Sequence, residues 1–286
     1  MSYKAELVAV LGQPVAENPT GVMQEAAFAA SGLNWRYLNL EVPPEQLANA
    51  VTGMRALGFK GFNLTIPHKV AVIPHLDALS MEAQLIGAVN TVRCENGRLI
   101  GENTDGKGFL RALRQDAGID PAGKRVALLG AGGAARAIAA EMLLAGAAGL
   151  TVLNRGVERG QSMVEHLKQA ASGDIGFIPW EGTFLVPSDA DILVNATSVG
   201  LYPRGNAMPD ISLAAAKQDL LVADVVFNPP VTALLKLARD RALPVLDGLS
   251  MLVYQGVIGF ELWTGRQAPE VVMKSALRRA LGVATA

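Results

Sequence analysis

A glycine-rich turn between an apolar strand and an alanine-rich helix constrains the fold of this chain most strongly. The buried-type run Arg125–Leu129 leads into Gly130-Ala131-Gly132-Gly133-Ala134-Ala135, which fits G-x-G-x-x-A. In that motif the first glycine allows a tight turn, the second admits a pyrophosphate, and the last small residue lets helix pack on strand. The motif predicts a dinucleotide-binding α/β unit in which Gly130, Ala131, Gly132, Gly133 and Ala134 contact the cofactor. The alternative is a glycine-rich turn that binds no ligand.

Apolar runs alternate with helical segments along the rest of the chain. The predicted strands are Leu7–Leu11, Trp35–Leu40, Phe62–Ile66, Arg125–Leu129, Leu150–Leu153, Ile192–Asn195, Leu221–Val226 and Pro244–Leu246. The predicted helices are Val22–Ser31, one opened by Pro43-Pro44-Glu45, Phe109–Gln115, Leu252–Trp263 and Pro269–Leu281. This alternation predicts an α/β fold with a largely parallel sheet. At about 150 residues per domain, 286 residues suggest two domains.

Composition excludes several classes of protein. With 50% hydrophobic and 18% charged residues, the chain can bury a sizeable core, which excludes disorder. A formal charge of -1 gives no net electrostatic attraction to nucleic acid or to an anionic membrane surface, so we expect the protein to bind neither. The single cysteine, Cys94, excludes an intrachain disulfide and fits a reducing compartment. Because no apolar run reaches the roughly 20 residues of a membrane span, we expect a cytoplasmic protein. The three histidines lack metal-ligand spacing, so we expect no metal site.

Two segments of the second half indicate which dinucleotide is bound. Asn154-Arg155 ends the strand after the glycine turn, and Arg159 follows one helical turn later. Arginine presents a planar fork that suits a 2′-phosphate, which favours NADP over NAD. Glu158 argues for NAD, since it can reach a ribose hydroxyl, and a solvated Arg–Glu surface pair is the alternative.

Thr197 follows a predicted strand at the edge where open α/β sheets bind ligands, so we expect it to face the cofactor.

Small polar groups also follow apolar runs in the first third of the chain. Asn63 and Thr65 would share one face of a strand, and Lys69 would project beyond Pro67 from a loop or helix start. Asn90 and Asp105 end two further runs, while Gln255 lies on an otherwise apolar helix. Such a set can hold a polyhydroxylated small molecule. Oxidation of an alcohol needs a proton acceptor, and a Lys–Asp pair can relay that proton. The alternative is that both charges are solvated and make no mutual contact.

Taken together, these motifs resemble the shikimate dehydrogenase family over nearly the whole chain. The matching segments are Asn63–Lys69, Gly87–Thr91, Asn103–Gly106, Gly130–Ala134, Asn154-Arg155, Asn195–Gly200 and Gly248–Gln255. The resemblance implies a discontinuous α/β substrate domain, residues 1–105 plus 248–286, around a Rossmann-type NADP-binding domain with a mainly parallel sheet, residues 106–247. The active site would lie in the cleft between them.

The resemblance also implies roles for individual residues. Lys69 matches the catalytic lysine, and Asp105 matches its paired aspartate. The positions that match substrate-binding groups are Asn63, Thr65, Asn90 and Gln255. Those that match cofactor-binding groups are Asn154, Arg155, Arg159, Val225 and Gly248.

This chain departs from the family pattern at positions expected to contact the substrate. Asn18 and Thr20 stand where the family has two serines that bond the substrate carboxylate, and Phe227 replaces a tyrosine. Gln24-Glu25 replaces a His-Asn pair. We therefore expect an NADP-dependent dehydrogenase for shikimate or a close hydroaromatic acid, working as a monomer or homodimer. Alternatives are a quinate or aminoshikimate dehydrogenase, or a non-catalytic homologue that binds NADP or another ligand.

Overall fold

The chain divides into two units in the computed structural model, which describes residues 3–171 and 173–283. The first unit comprises Met1–Thr104 and Val253–Ala286, and the second comprises Asp105–Leu252. The first unit is therefore discontinuous in sequence. The predicted domain limits and the roles given to the two domains stay predictions.

Strands and helices alternate through both units. The strands are β1 (Glu6–Gly12), β2 (Trp35–Glu41), β3 (Gly61–Leu64), β4 (Ala78–Leu79), β5 (Thr91–Glu95), β6 (Arg98–Glu102), β7 (Arg125–Leu129), β8 (Gly149–Asn154), β9 (Asp174–Pro179), β10 (Phe184–Leu185), β11 (Ile192–Asn195), β12 (Ile211–Ser212), β13 (Leu221–Asp224) and β14 (Val245–Leu246). The α-helices are α1 (Thr20–Ala30), α2 (Leu47–Ala56), α3 (His68–Ala71), α4 (Met81–Ile86), α5 (Asp105–Gln115), α6 (Gly133–Leu144), α7 (Val157–Ala170), α8 (Ala233–Asp240), α9 (Gly248–Thr264) and α10 (Glu270–Ala280). Short 3-10 helices span Pro44–Gln46 and Ile73–His75.

The sheet of the first unit is mixed, with the order β2-β1-β3-β5-β6-β4. β1 runs parallel to β2 and β3, whereas β5 runs antiparallel to β3 and β6. Sequence reasoning missed the β5–β6 hairpin, although its turn, Asn96-Gly97, carries a known signal. Both residues have a positive φ, 51° and 77°, as the tightest hairpin turn requires.

The sheet of the second unit is parallel throughout, with the order β14-β13-β11-β7-β8-β9. Counted from β7 and read from the other edge, this is the 3-2-1-4-5-6 order of a Rossmann fold. The strand order reverses between β7 and β11, and such a reversal places a ligand-binding crevice at the carboxyl ends of the strands. The predicted α/β class and the Rossmann-type domain are therefore confirmed.

Each unit buries its own apolar core. In the first unit, Phe62, Val92 and Leu99 extend from three strands of the sheet into one buried cluster. The Trp263 indole N–H donates to the Val92 carbonyl at 3.0 Å. The indole occupies the space beside Gly61, where a Cβ atom would lie 2.2 Å from its nitrogen. The second core surrounds β7, β11 and β13. Within the described residues, no helix is long and apolar enough to cross a membrane.

Several predicted element ends differ from the structure, and two of them lie next to proposed site residues. The strand predicted to reach Ile66 ends at Leu64, because the Thr65 carbonyl accepts the N–H of His68 at 2.8 Å and turns the chain. The helix predicted from Phe109 begins earlier, at Asp105. The predicted glycine turn, in contrast, lies between β7 and α6 as its motif requires.

Candidate active site

The glycine turn of the second unit has the geometry of a phosphate-binding turn. Gly130 has a φ of 107°, and a Cβ atom there would lie 3.0 Å from the Ala196 carbonyl oxygen. A Cβ atom added at Gly132 or at Gly133 would have no neighbouring atom within 4 Å, so the start of α6 faces open space. Backbone N–H groups at a helix start attract anions, and this space admits a pyrophosphate. These residues therefore fit a dinucleotide.

A surface depression lies beyond the end of β8. It is lined by Asn154, Arg155, Gly156, Val157, Glu158, Arg159 and Ser162. Two exposed guanidinium groups and one carboxylate are thus gathered where the adenosine ribose is expected. The donor set fits a 2′-phosphate, since arginine binds such groups through paired hydrogen bonds. Sequence reasoning missed Ser162, because an isolated helix serine carries no motif.

The other predicted cofactor residues meet at the carboxyl edge of the same sheet. The Thr197 methyl lies 3.1 Å from the built Cβ position of Gly130, and Val225 donates its N–H to the Asn195 carbonyl at 3.0 Å. A Cβ atom at Gly248 would lie 2.6 Å from the Val225 carbonyl oxygen. The structure therefore brings Gly130, Thr197, Val225 and Gly248 to one edge of the second unit.

Two further predicted residues belong to this unit. Asp105 is the first residue of α5 and is buried, with 8% of its surface exposed. Phe227 is half-buried in the loop after β13. That strand was predicted to reach Val226. It ends at Asp224, because the Asp224 carboxylate accepts the N–H of Val226 at 3.0 Å.

In the first unit, the Asn63 amide makes three hydrogen bonds to other protein groups. Its Oδ1 accepts the Tyr37 hydroxyl at 2.7 Å, while its Nδ2 donates to the Asn90 carbonyl and to Thr91 Oγ1. Burial raises the pKa of Tyr37, so its hydroxyl stays protonated as a donor. Asn63 therefore orders its neighbours, and its predicted contact with the substrate stays a prediction. The predicted strand face shared with Thr65 is wrong, because β3 ends at Leu64.

Asn90 joins the two other polar segments of the first unit. Its Oδ1 accepts the Thr104 N–H at 2.7 Å, and its Nδ2 donates to Thr104 Oγ1 at 3.0 Å. Asn103 donates its side-chain amide to the Ala88 carbonyl at 3.0 Å. These bonds order the two residues that directly precede Asp105 in the chain.

Lys69 lies in α3 and is half-buried. Its carbonyl accepts the Val89 N–H at 2.8 Å, which links the helix to the segment that carries Asn90. The preceding residue, His68, is fully buried, and its Nε2 lies 2.7 Å from the Val42 carbonyl oxygen. The backbone around Lys69 is therefore well anchored. Lys69 belongs to the first unit and Asp105 begins the second, so their pairing stays a prediction.

The remaining predicted substrate residues lie at the start of α1 and within α9. The Asn18 Oδ1 accepts the Thr20 N–H at 3.0 Å, and Thr20 itself is only 4% exposed. Gln255 is buried, and the carbonyl of the next residue, Gly256, accepts the Gln24 amide at 2.8 Å. Within the described part of the chain, no group of three or more His, Cys, Asp or Glu side chains is placed to hold a metal ion.

Three family models match successive parts of this chain. Residues 10–92 match the shikimate dehydrogenase substrate binding domain, residues 113–250 match shikimate / quinate 5-dehydrogenase, and residues 248–278 match the shikimate 5'-dehydrogenase C-terminal domain. The matches follow the same order as the motifs.

Individual proteins are similar over almost their full length. Shikimate dehydrogenase (NADP(+)) of Methanopyrus kandleri is 44% identical over 276 residues, covering 96% of this chain and 95% of that protein. The ligand-free 5-ketofructose reductase of Gluconobacter sp. strain CHM43 is 45% identical, with a TM-score of 0.93, and covers 98% of this chain and 100% of that one. Shikimate 5-dehydrogenase of Thermus thermophilus, solved with NADP(H) and shikimate, is 38% identical, with a TM-score of 0.84, and covers 96% and 100%.

Proposed function

The chain belongs to the shikimate dehydrogenase family, and we propose that it uses NADP to interconvert shikimate, or a close hydroaromatic acid, and the corresponding ketone. It is an oxidoreductase acting on a CH–OH group. The observation that carries this proposal is the agreement, over nearly the whole chain, with relatives that bear that name and cofactor. The Rossmann sheet and the open glycine turn agree with it.

We propose the following division of work among the residues. NADP(H), when bound, carries the hydride that is exchanged with the carbon of the alcohol or ketone. Gly130 to Ala134 hold the pyrophosphate, and Arg155 and Arg159 hold the 2′-phosphate. Lys69 and Asp105 form the proton-transfer pair. The lysine exchanges a proton with the reacting oxygen, while the carboxylate orients the ammonium group.

The substrate-binding set we propose contains Asn18, Thr20, Asn63, Thr65, Asn90, Phe227 and Gln255. Asn63 also holds Tyr37 and the Asn90 backbone in place. Asn90 and Gln255 are buried polar groups of the same unit as Lys69.

A second candidate substrate is a neutral polyhydroxylated ketone of the 5-ketofructose type. The Gluconobacter relative supports it, because that protein is a 5-ketofructose reductase, is 45% identical to this chain and has a TM-score of 0.93. The departures from the family pattern support it as well, because they fall on the positions expected to bind a carboxylate. Thr20 is buried, with 4% of its surface exposed, which limits the access of a carboxylate to its hydroxyl. Phe227 offers no hydroxyl in place of the expected tyrosine.

Steady-state turnover distinguishes these substrates. The purified protein is assayed for NADPH formation with shikimate, quinate and an aminoshikimate, and for NADPH consumption with 5-ketofructose. Lys69→Ala should lower kcat about 100-fold or more with the true substrate. The matched control is Lys60→Ala, which removes an exposed lysine that pairs with Glu6 at 3.4 Å. NADPH binding without turnover of any of these compounds would refute the proposal and favour the non-catalytic alternative.

We also propose a cytoplasmic protein that acts as a monomer or homodimer and needs no nucleic acid or membrane. The single cysteine supports a reducing compartment, and the near-zero net charge supports the absence of nucleic acid and membrane partners. Light scattering after size exclusion separates monomer from dimer. A stable mass above that of a dimer would contradict this part of the proposal.

A further inference from the structure

We propose that Asp224 is a positioning residue that holds the two loops expected to contact the nicotinamide half of the cofactor. The inference rests on the proposed function only in assigning those loops to NADP. Asp224 ends β13 at the carboxyl edge of the parallel sheet, and 2% of its surface is exposed. The proton-transfer chemistry proposed above does not use it.

Three donors from three different elements converge on the Asp224 carboxylate. The Asn195 amide donates to Oδ1 at 3.0 Å from the end of β11, and the Val226 N–H donates to the same oxygen at 3.0 Å. The Thr232 hydroxyl donates to Oδ2 at 2.7 Å from the start of α8. One side chain thus joins the loop after β11, the loop after β13 and the beginning of a helix.

Asn195 extends this network to Thr197, which is expected to face the cofactor. Asn195 Oδ1 accepts both the N–H and the hydroxyl of Thr197, at 3.2 and 2.7 Å. Thr197 Oγ1 in turn accepts the Val199 N–H at 3.1 Å. In the loop after β13, Val225 lies between Asp224 and Val226 in the chain. Its position is fixed because the Asp224 carboxylate accepts the Val226 N–H. Both loops that reach the cofactor edge therefore depend on the same carboxylate.

The chemistry of this position requires an acceptor on both oxygens. A carboxylate accepts all three donors, whereas an asparagine of the same shape presents N–H groups toward at least one of them. Because the site is buried, a donor facing another donor is not relieved by water. Hydride transfer is sensitive to small displacements of the reacting groups, so a shift of these loops should reduce turnover.

The test compares four single variants of the full-length protein. Asp224→Asn keeps the shape but not the acceptor, and Thr232→Val removes one donor. Thr232→Ser restores that donor and serves as the conservative control. Asp191→Asn is the matched control, because Asp191 makes similar bonds at the opposite end of β11, to the Arg125 N–H at 2.7 Å and to Lys217 Nζ at 2.5 Å.

Three readouts separate positioning from general stability: NADPH affinity by fluorescence titration, kcat and KM with the active substrate, and Tm. We expect Asp224→Asn to weaken NADPH binding or lower kcat about tenfold, Thr232→Val to do so to a smaller extent, and Thr232→Ser to retain both. Asp191→Asn should lower Tm and leave NADPH affinity within about twofold.

The NADPH titration needs no substrate, so it tests this inference even if the proposed reaction is wrong. Wild-type affinity and kcat in folded Asp224→Asn would overturn the inference. An equal loss of NADPH affinity in Asp191→Asn would also overturn it, because the effect would then follow stability and not loop position. If Asp224→Asn fails to fold, the pair Thr232→Val and Thr232→Ser decides: equal NADPH affinity in both would overturn the inference.

Discussion

Gly106 packs directly against the backbone of Ala137, since a Cβ atom at Gly106 would lie 2.3 Å from the Ala137 carbonyl oxygen. Gly106 follows Asp105 in the first turn of α5, and Ala137 lies in α6, the helix that begins at the glycine turn. The contact therefore fixes the start of α5, which carries the proposed catalytic aspartate, against α6. No side chain larger than hydrogen fits this interface without moving one of the helices.

We accordingly expect Gly106→Ala to destabilise the protein by about 1–3 kcal/mol, as overpacking does in tight interiors. Turnover should fall further than the loss of folded protein explains, because α5 must shift and carry Asp105 with it. Urea unfolding and kcat measure the two effects. Gly53→Ala is the control: Gly53 lies in α2 with no atom within 4 Å of a built Cβ. That substitution should be neutral or stabilising by up to about 1 kcal/mol.

Arg159 should contribute to the choice of NADP over NAD. Arg159→Ala removes one of the two guanidinium groups that line the depression after β8. We expect KM for NADP to rise about 10- to 100-fold, as for a lost charged hydrogen bond, while KM for NAD changes little. Arg114→Ala removes an exposed arginine that pairs with Asp120 at 3.1 Å, and it serves as the control. Equal losses with both cofactors would contradict a 2′-phosphate site here.

Asp224 should make stability depend on pH in a direction unusual for a carboxylate. Burial raises the pKa of Asp224 from 3.8 to about 6 and outweighs the hydrogen bonds from Val226, Thr232 and Asn195, which lower it, so the folded state binds a proton more tightly than the unfolded state. Its contribution to stability is therefore full below about pH 4 and is lost as the pH rises through 6. Between pH 4.5 and pH 7 the decrease amounts to roughly 2 kcal/mol. Urea unfolding at pH 4.5 and pH 7 should show that Asp224→Asn lacks this decrease. An identical pH dependence in wild type and variant would contradict the assignment.

Gln24 should tolerate loss of its polar oxygen better than gain of a charge. Its Nε2 donates to the Gly256 carbonyl at 2.8 Å, whereas its Oε1 is buried with no hydrogen-bond partner among the described residues. Gln24→Met should thus change the free energy of unfolding by less than about 1.5 kcal/mol. The substitution removes the hydrogen bond to Gly256, but it also removes the buried oxygen that has no partner among the described residues. Gln24→Glu should cost more, because it buries a carboxylate without a partner. Greater destabilisation by methionine than by glutamate would contradict this account.

The predictions that succeeded from sequence rest on local chemistry. The apolar run Arg125–Leu129 and the glycines after it specify a strand, a turn and a helix start within a dozen residues, so no distant contact was needed to infer them. The β5–β6 hairpin was missed even though its Asn96-Gly97 turn is equally local. Neither strand beside it shows the continuous apolar pattern that marked the parallel strands.

The sequence by itself therefore determined the α/β class, the position of the glycine turn between β7 and α6, and the candidates for proton transfer. Tertiary structure alone decided which partners each polar group has. The Asn63 amide forms hydrogen bonds with Tyr37 and Thr91, which are 26 and 28 residues away in the sequence. The Asp224 carboxylate accepts a hydrogen bond from the Asn195 amide, 29 residues away. Gln24 and Gly256 meet across 232 residues. The reason is physical: a polar side chain must satisfy its hydrogen bonds once it is buried, and its neighbours are set by how strands and helices pack.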